Sequence, residues 1–139
     1  MINHREINGK QEPLHALVIE DDMLILLDIE EILKSIGIAQ VSCCTSVEQA
    51  AKMMETRRPH FALMDYHVGK TTTDEIALML QKMQVPFAFV TASISPADMI
   101  PELSSSLVIM KPFSETDIQE TVDLLLARVT VPTGEGKFA

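Results

Sequence analysis

FALMDYHV, residues 61–68, is the stretch on which the reading of this 139-residue chain turns. Phe61, Ala62, Leu63 and Met64 form an apolar run between Pro59 and a loop containing Gly69. Such a run reads as a buried strand, here one that ends on a carboxylate, Asp65. Three other apolar runs end in the same manner. LVI at 17–19 stops at Glu20, Asp21 and Asp22, FAFV at 87–90 stops at Thr91, and LVIM at 107–110 stops at Lys111. In an open α/β sheet the ligand crevice lies beyond the carboxyl ends of the strands, so these four termini are expected to converge.

The rest of the chain fits around those runs. Residues 1–12 are polar and without periodicity, which predicts an N-terminal tail, and residues 131–139 predict a second tail. Between them, residues 13–130 read as one domain, since a chain of this length buries a single core. A first strand over Leu14–Glu20 is followed by a helix from Asp22 to Ile36, with Ile25, Ile29, Ile32 and Ile36 on its inner face and Gly37 as its stop. Met23 and Leu27 fall on the outer, polar face. Val41–Cys44 is a short second strand, and Thr45 with Glu48 reads as the capping box of the next helix. Thr72 with Glu75 opens a third helix, through Ile76, Leu80 and Met83. A fourth helix starting at Ser95 and Pro96 is expected to be short, kinked or mobile, because Pro101 sits a turn further in. Ser114 caps a last helix whose Ile118, Val122, Leu125 and Val129 face the core.

Five strands alternating with helices at this spacing require parallel pairing and right-handed crossovers. The predicted fold is a flavodoxin-like (βα)5 three-layer sandwich with strand order 2-1-3-4-5, whose switch point sets Glu20 and Asp21 beside Asp65.

Composition excludes several classes. The net charge of −9 argues against nucleic acid, whose binding is driven by clustered Lys and Arg. The adjacent Arg57 and Arg58 precede Pro59 at a helix end, where cations favour the dipole. No apolar stretch approaches the roughly 20 residues of a membrane span, and the N-terminus has no signal-peptide core, so a cytoplasmic protein is expected. Cys43 and Cys44 are adjacent and face opposite sides of a strand, which suggests neither a disulfide nor a zinc site.

Three carboxylates within a few ångströms repel one another unless one is protonated or a cation sits among them. With oxygen donors alone, that cation is Mg²⁺ or Mn²⁺. Across the cleft, the Lys111 ammonium and the Thr91 hydroxyl can meet phosphoryl oxygens, which leaves Asp65 placed as a nucleophile toward phosphorus. Each residue alone has a plainer role: a strand-end acid is most often a helix cap, Thr91 a loop hydroxyl, Lys111 a solvated charge. The conjunction is far more specific.

On these residues, the acid pair in LVIED, the strand end LMD, the VTA after strand four and KPF after strand five, the sequence resembles a receiver domain of two-component response regulators over residues 14–129. The resemblance implies that Asp65 accepts a phosphoryl group from a histidine kinase or a histidine phosphotransferase. It implies a metal site of Glu20, Asp21, Asp65 and His67, with Asp21 binding Mg²⁺ directly, Glu20 through water, and His67 through its backbone carbonyl. Thr91 and Lys111 would contact the phosphoryl group, and the Lys111–Pro112 peptide would be cis. His67 and Ser93 occupy the positions that tune phosphoryl lifetime.

Departures from the family pattern are informative. Val108 stands where receivers commonly carry the Tyr or Phe whose ring reports phosphorylation, and the loop after Asp65, YHVGK, lacks the usual proline. VPFAFVTA is similar to the PFxFATG motif of a group of stand-alone receivers, with Ala92 in place of the glycine. With no output domain after residue 130, the chain is expected to act as a stand-alone phosphoaccepting regulator, not an enzyme, through an unknown downstream protein or a phosphorelay. Two other readings remain open. One is an interaction module with a vestigial pocket. The other is an aspartyl-phosphate phosphohydrolase, disfavoured because His67 stands where such enzymes place a second acid.

Overall fold

The computed structural model describes residues 4–7, 10–94 and 98–129. In chain order the elements are β1 His4–Ile7, β2 Lys10–Pro13, β3 His15–Ile19, α1 Met23–Ser35, β4 Gln40–Cys44, α2 Val47–Thr56 and β5 Phe61–Met64. There follow β6 His67–Val68, β7 Thr71–Thr72, α3 Asp74–Lys82, β8 Phe87–Thr91, a 3-10 turn at Pro101–Leu103, β9 Leu107–Met110 and α4 Glu115–Leu126. β3, β4, β5, β8 and β9 form one parallel sheet in the order β4-β3-β5-β8-β9. Counting only these five strands, that is 2-1-3-4-5, as the alternation of elements predicts.

Period-2 alternation along each strand builds the two cores. Ala16, Val18, Leu63, Val90 and Ile109 face the side that holds α1 and α4. Leu17, Ile19, Met64 and Phe89 face the side that holds α2 and α3. The buried face of α1 centres on Leu26, Ile29, Leu33 and Ile36, while Ile25 and Ile32 are only partly covered at its flank. Gly37, at φ 103°, closes the helix in the left-handed conformation that favours glycine.

Several local expectations are corrected. The stretch 1–12, read as a tail, contains the antiparallel pair β1–β2, with Arg5 opposite Glu12. Helix α2 is capped by Ser46, whose hydroxyl accepts the Gln49 amide at 3.1 Å, not by Thr45 with Glu48. The sequence TSVEQ holds two overlapping capping patterns, and the extended backbone falls at Ser46. Helix α3 is entered through Thr73, not Thr72, because Thr72 is committed to the β6–β7 pair.

Between β8 and β9 the described residues contain only the 3-10 turn, in keeping with Pro101; the expected helix start at Ser95 and Pro96 lies outside the described residues. On β9, the edge strand of the sheet, Val108 and Met110 are 38% and 49% exposed on one face, although LVIM is an apolar run. Arg57 is the C-cap of α2, the helix end where a cation is expected, whereas Arg58 reaches a different helix and donates to the Met83 carbonyl at the end of α3 at 2.7 Å. Cys43 is exposed and Cys44 buried, as opposite faces of β4 require. Among the described residues no helix is long and apolar enough to cross a membrane.

Candidate functional site at the carboxyl end of the sheet

The parallel register brings the four strand ends together. Glu20 follows β3 and Asp65 follows β5, and the Asp65 amide donates to the Ile19 carbonyl at 2.9 Å, so the two acids leave the sheet side by side. Thr91 is the last residue of β8, and its carbonyl accepts the Lys111 amide at 2.9 Å. Glu20, Asp65 and Thr91 are 2%, 9% and 2% exposed, whereas Asp21 is exposed. Buried polar groups at the mouth of an apolar sheet need partners.

Lys111 supplies them. Its Nζ donates to Glu20 Oε1 at 2.8 Å and to Asp65 Oδ2 at 2.9 Å, so one ammonium bridges both buried carboxylates. Burial raises the Glu20 pKa, and the neighbouring Asp65 charge adds to that, while Lys111 and the Asp22 amide pull it down. For Lys111, burial acts downward, but its hydrogen bonds to Glu20 and Asp65 outweigh it and hold the ammonium above its ordinary value. The Lys111–Pro112 peptide is cis.

The second oxygens are also fixed. Glu20 Oε2 accepts the Asp22 amide at 3.1 Å, and Asp65 Oδ1 accepts the His67 amide at 3.3 Å. Asp22 itself caps α1, its Oδ1 accepting from Leu24 and Ile25 at 3.0 and 3.3 Å, so it takes the plain structural role. Asp21 Oδ2 accepts the Gly69 amide at 2.7 Å from across the crevice. One carboxylate oxygen from each of Glu20, Asp21 and Asp65 lies within 4.8 Å of the others. This all-oxygen donor set fits a hard divalent cation. All the residues singled out in the sequence for this crevice, Glu20, Asp21, Asp65, His67, Thr91 and Lys111, border it, while the exposed Ser93 follows β8 by two residues.

Other residues escaped the sequence reading. Thr73, fully buried, donates its hydroxyl to the Asp65 carbonyl at 2.9 Å and so fixes the backbone at Asp65. Tyr66 is buried next to Asp65, its ring edge-on to Phe89 at 5.4 Å, and its hydroxyl donates to the Asp98 carbonyl at 3.4 Å. Burial first, then Asp74 and Asp98, push that phenol up to about 12. On α1, Leu24 is 81% exposed, more than Met23 or Leu27 at its sides.

A parallel sheet with an acid cluster, a threonine and a lysine at its strand ends is the arrangement found here, and comparison with known proteins gives the class of domain. A model of the response regulator receiver domain matches residues 16–123, and the chain belongs to that family. That family serves two-component signalling. It is 24% identical over 131 residues to the transcriptional regulatory protein PdtaR of Mycobacterium tuberculosis, covering 91% of this chain and 64% of that protein. To the phyllosphere-induced regulator PhyR of Methylorubrum extorquens it is 26% identical over 113 residues, covering 79% of this chain and 42% of PhyR. The chain thus spans less than two thirds of the length of either relative. Among solved structures, a CheY-like receiver domain protein from Methanospirillum hungatei superposes with a TM-score of 0.75 at 22% identity, covering 84% and 95% of the two chains. SdrG from Sphingomonas melonis gives 0.70 at 24%, covering 81% and 96%. These two likenesses bear on the fold alone.

Proposed function

We propose that Asp65 accepts a phosphoryl group from the phosphohistidine of a histidine kinase or histidine phosphotransferase, in the cytoplasm. The observation that carries this reading is the Lys111 ammonium shared between Glu20 and Asp65 at 2.8 and 2.9 Å inside a cluster of three carboxylates. Such a cluster holds the Asp65 carboxylate at the mouth of the sheet, its oxygens fixed by Lys111 and the His67 amide. An Asp65 carboxylate oxygen forms the new bond to phosphorus as the phosphorus–nitrogen bond breaks, and the imidazole leaves with that electron pair. Lys111 then pairs with a phosphoryl oxygen, and the Thr91 hydroxyl donates to another. Glu20 and Asp21, with the His67 backbone carbonyl, would hold Mg²⁺ or Mn²⁺, Asp21 directly and Glu20 through water. The ion would supply charge neutralisation for the incoming phosphoryl group.

The product signals through binding. Phosphorylation shifts a two-state equilibrium by as much as it favours one state, and the readout is altered affinity for a downstream protein or onward transfer in a relay. The exposed Met23, Leu24 and Leu27 border the acid cluster and form the docking face for the phosphodonor protein. The test is transfer from a phosphohistidine protein. The wild type takes up the label, Thr91→Ala and Lys111→Ala take it up more slowly, and Asp65→Asn takes up none. Equal labelling of Asp65→Asn would overturn the assignment.

A further inference from the structure

The loop after Asp65, YHVGK, lacks the proline that receivers usually carry there, and a proline has no N–H to give. Here that N–H is used. The Gly69 amide donates to Asp21 Oδ2 at 2.7 Å, a short, charge-assisted contact across the crevice. The loop that delivers it is an ordered hairpin, with His67 opposite Thr72 and Val68 opposite Thr71. Gly69 takes φ 61° at the first central position of its two-residue turn, the position that type II′ turns reserve for glycine. A Cβ at Gly69 would meet nothing within 4 Å, so the demand for glycine comes from the backbone conformation, not from crowding.

Asp21 is also the acid that most needs such a partner. Glu20 is buried and fixed by Lys111 and the Asp22 amide, and Asp65 is fixed by Lys111 and the His67 amide. Asp21 is exposed and out of reach of the strand ladder, and the Gly69 amide draws its carboxylate toward the other two acids.

We propose that the Gly69 amide is a positioning group that presents Asp21 to the divalent cation, tying metal affinity to the 67–72 hairpin. This rests on the reading of Glu20, Asp21 and Asp65 as a cation site. Hydrogen-bond partners of metal ligands typically govern affinity by about ten- to a hundredfold.

The experiment is titration of the full chain with Mg²⁺ by calorimetry. Tyr66, the one tyrosine in a chain without tryptophan, reports the same titration by its fluorescence. Gly69→Pro made with D-proline, which removes the N–H but holds φ near the +61° of this turn, should weaken binding by about tenfold or more, and higher Mg²⁺ should restore phosphoryl labelling. Gly69→Asn keeps the N–H and is the side chain most tolerant of positive φ, so it should stay within about threefold of wild type. Wild-type protein that binds no Mg²⁺ would overturn the cation site and this inference together. Wild-type binding with equal affinity in a folded Gly69→Pro would overturn this inference alone. So would a Gly69→Asn loss as large as that of Gly69→Pro, which would assign the effect to the shape of the turn.

If Gly69→Pro does not fold, ¹⁵N spectra of the remaining proteins decide. The Gly69 amide should exchange slowly, shift with Mg²⁺, and lose its protection in Asp21→Ala while Lys70 does not. A freely exchanging Gly69 amide that ignores both Mg²⁺ and Asp21→Ala would overturn the proposal.

Discussion

His15 and Glu20 flank the same strand, β3, at its two ends, and both are nearly sealed from water, at 1% and 2% exposure. They treat charge in opposite ways. At the carboxyl end, Lys111 lies 2.8 Å from Glu20 and 2.9 Å from Asp65, so a cation balances the buried acids. At the amino end, His15 Nε2 meets the Ser42 hydroxyl at 2.7 Å, and the His15 amide donates to His60 Nδ1 at 3.0 Å. Burial, with the Arg57 and His60 charges beside it and only the Arg58 backbone opposing, lowers the His15 pKa from 6.5 to about 4. One end of the strand keeps its charges and can do chemistry with them; the other discharges its imidazole and contributes only stability.

The largest expected effect breaks the charge balance at the carboxyl end. Lys111→Met leaves Glu20 and Asp65 facing each other without a cation, and should cost about 3–5 kcal/mol in urea unfolding without Mg²⁺. Added Mg²⁺ should recover part of that loss in the mutant. A mutant as stable as wild type would mean that the two acids are not both ionised.

At the amino end the sign follows from the lowered pKa. Above about pH 6.5 the His15 ring is neutral in folded and unfolded chains, and its contribution is fully present. As the pH falls toward 4, the unfolded chain takes up a proton that the folded chain refuses, and about 3 kcal/mol is lost. Unfolding free energies between pH 7 and 4 should show this slope in the wild type and lose it in His15→Gln. An unchanged slope in His15→Gln would place the acid sensitivity at other groups.

Smaller effects sharpen the contrast. Thr73→Val removes the hydroxyl from the Asp65 carbonyl in a buried setting and should cost about 1–3 kcal/mol by thermal unfolding. Replacing Met23 and Leu27 together by Ser should change stability by less than about 0.5 kcal/mol per site. The same pair should slow transfer from a phosphohistidine protein while Mg²⁺ affinity holds. Undiminished transfer would move the docking face elsewhere.

The carboxyl-end site was legible because its chemistry is written in side chains that end apolar runs. LVIED, LMD, FVT and IMK each mark a strand terminus, and parallel topology does the rest. Thr73 was not legible, because in the run TTT nothing local distinguishes a hydroxyl that caps a helix from one that reaches back to the acceptor strand. Gly69 was seen only as part of a loop that lacks the usual proline; a backbone amide has no letter of its own, and its partner Asp21 is distant in the chain. Exposure of Val108 and Met110 was hidden for a related reason. An apolar strand is read as covered on both faces, and only the tertiary structure reveals that β9 lies at the edge of the sheet. The N-terminal pair β1–β2 has no alternating apolar pattern in HREI and KQEP to announce it.

The most direct test of the central claim is intact mass after incubation with Mg²⁺ and a small-molecule phosphodonor, comparing wild type with Asp65→Asn. The account predicts a single added phosphoryl group in the wild type, absent from Asp65→Asn and prevented by a chelator. An equal increment in Asp65→Asn, or one indifferent to the chelator, would contradict it.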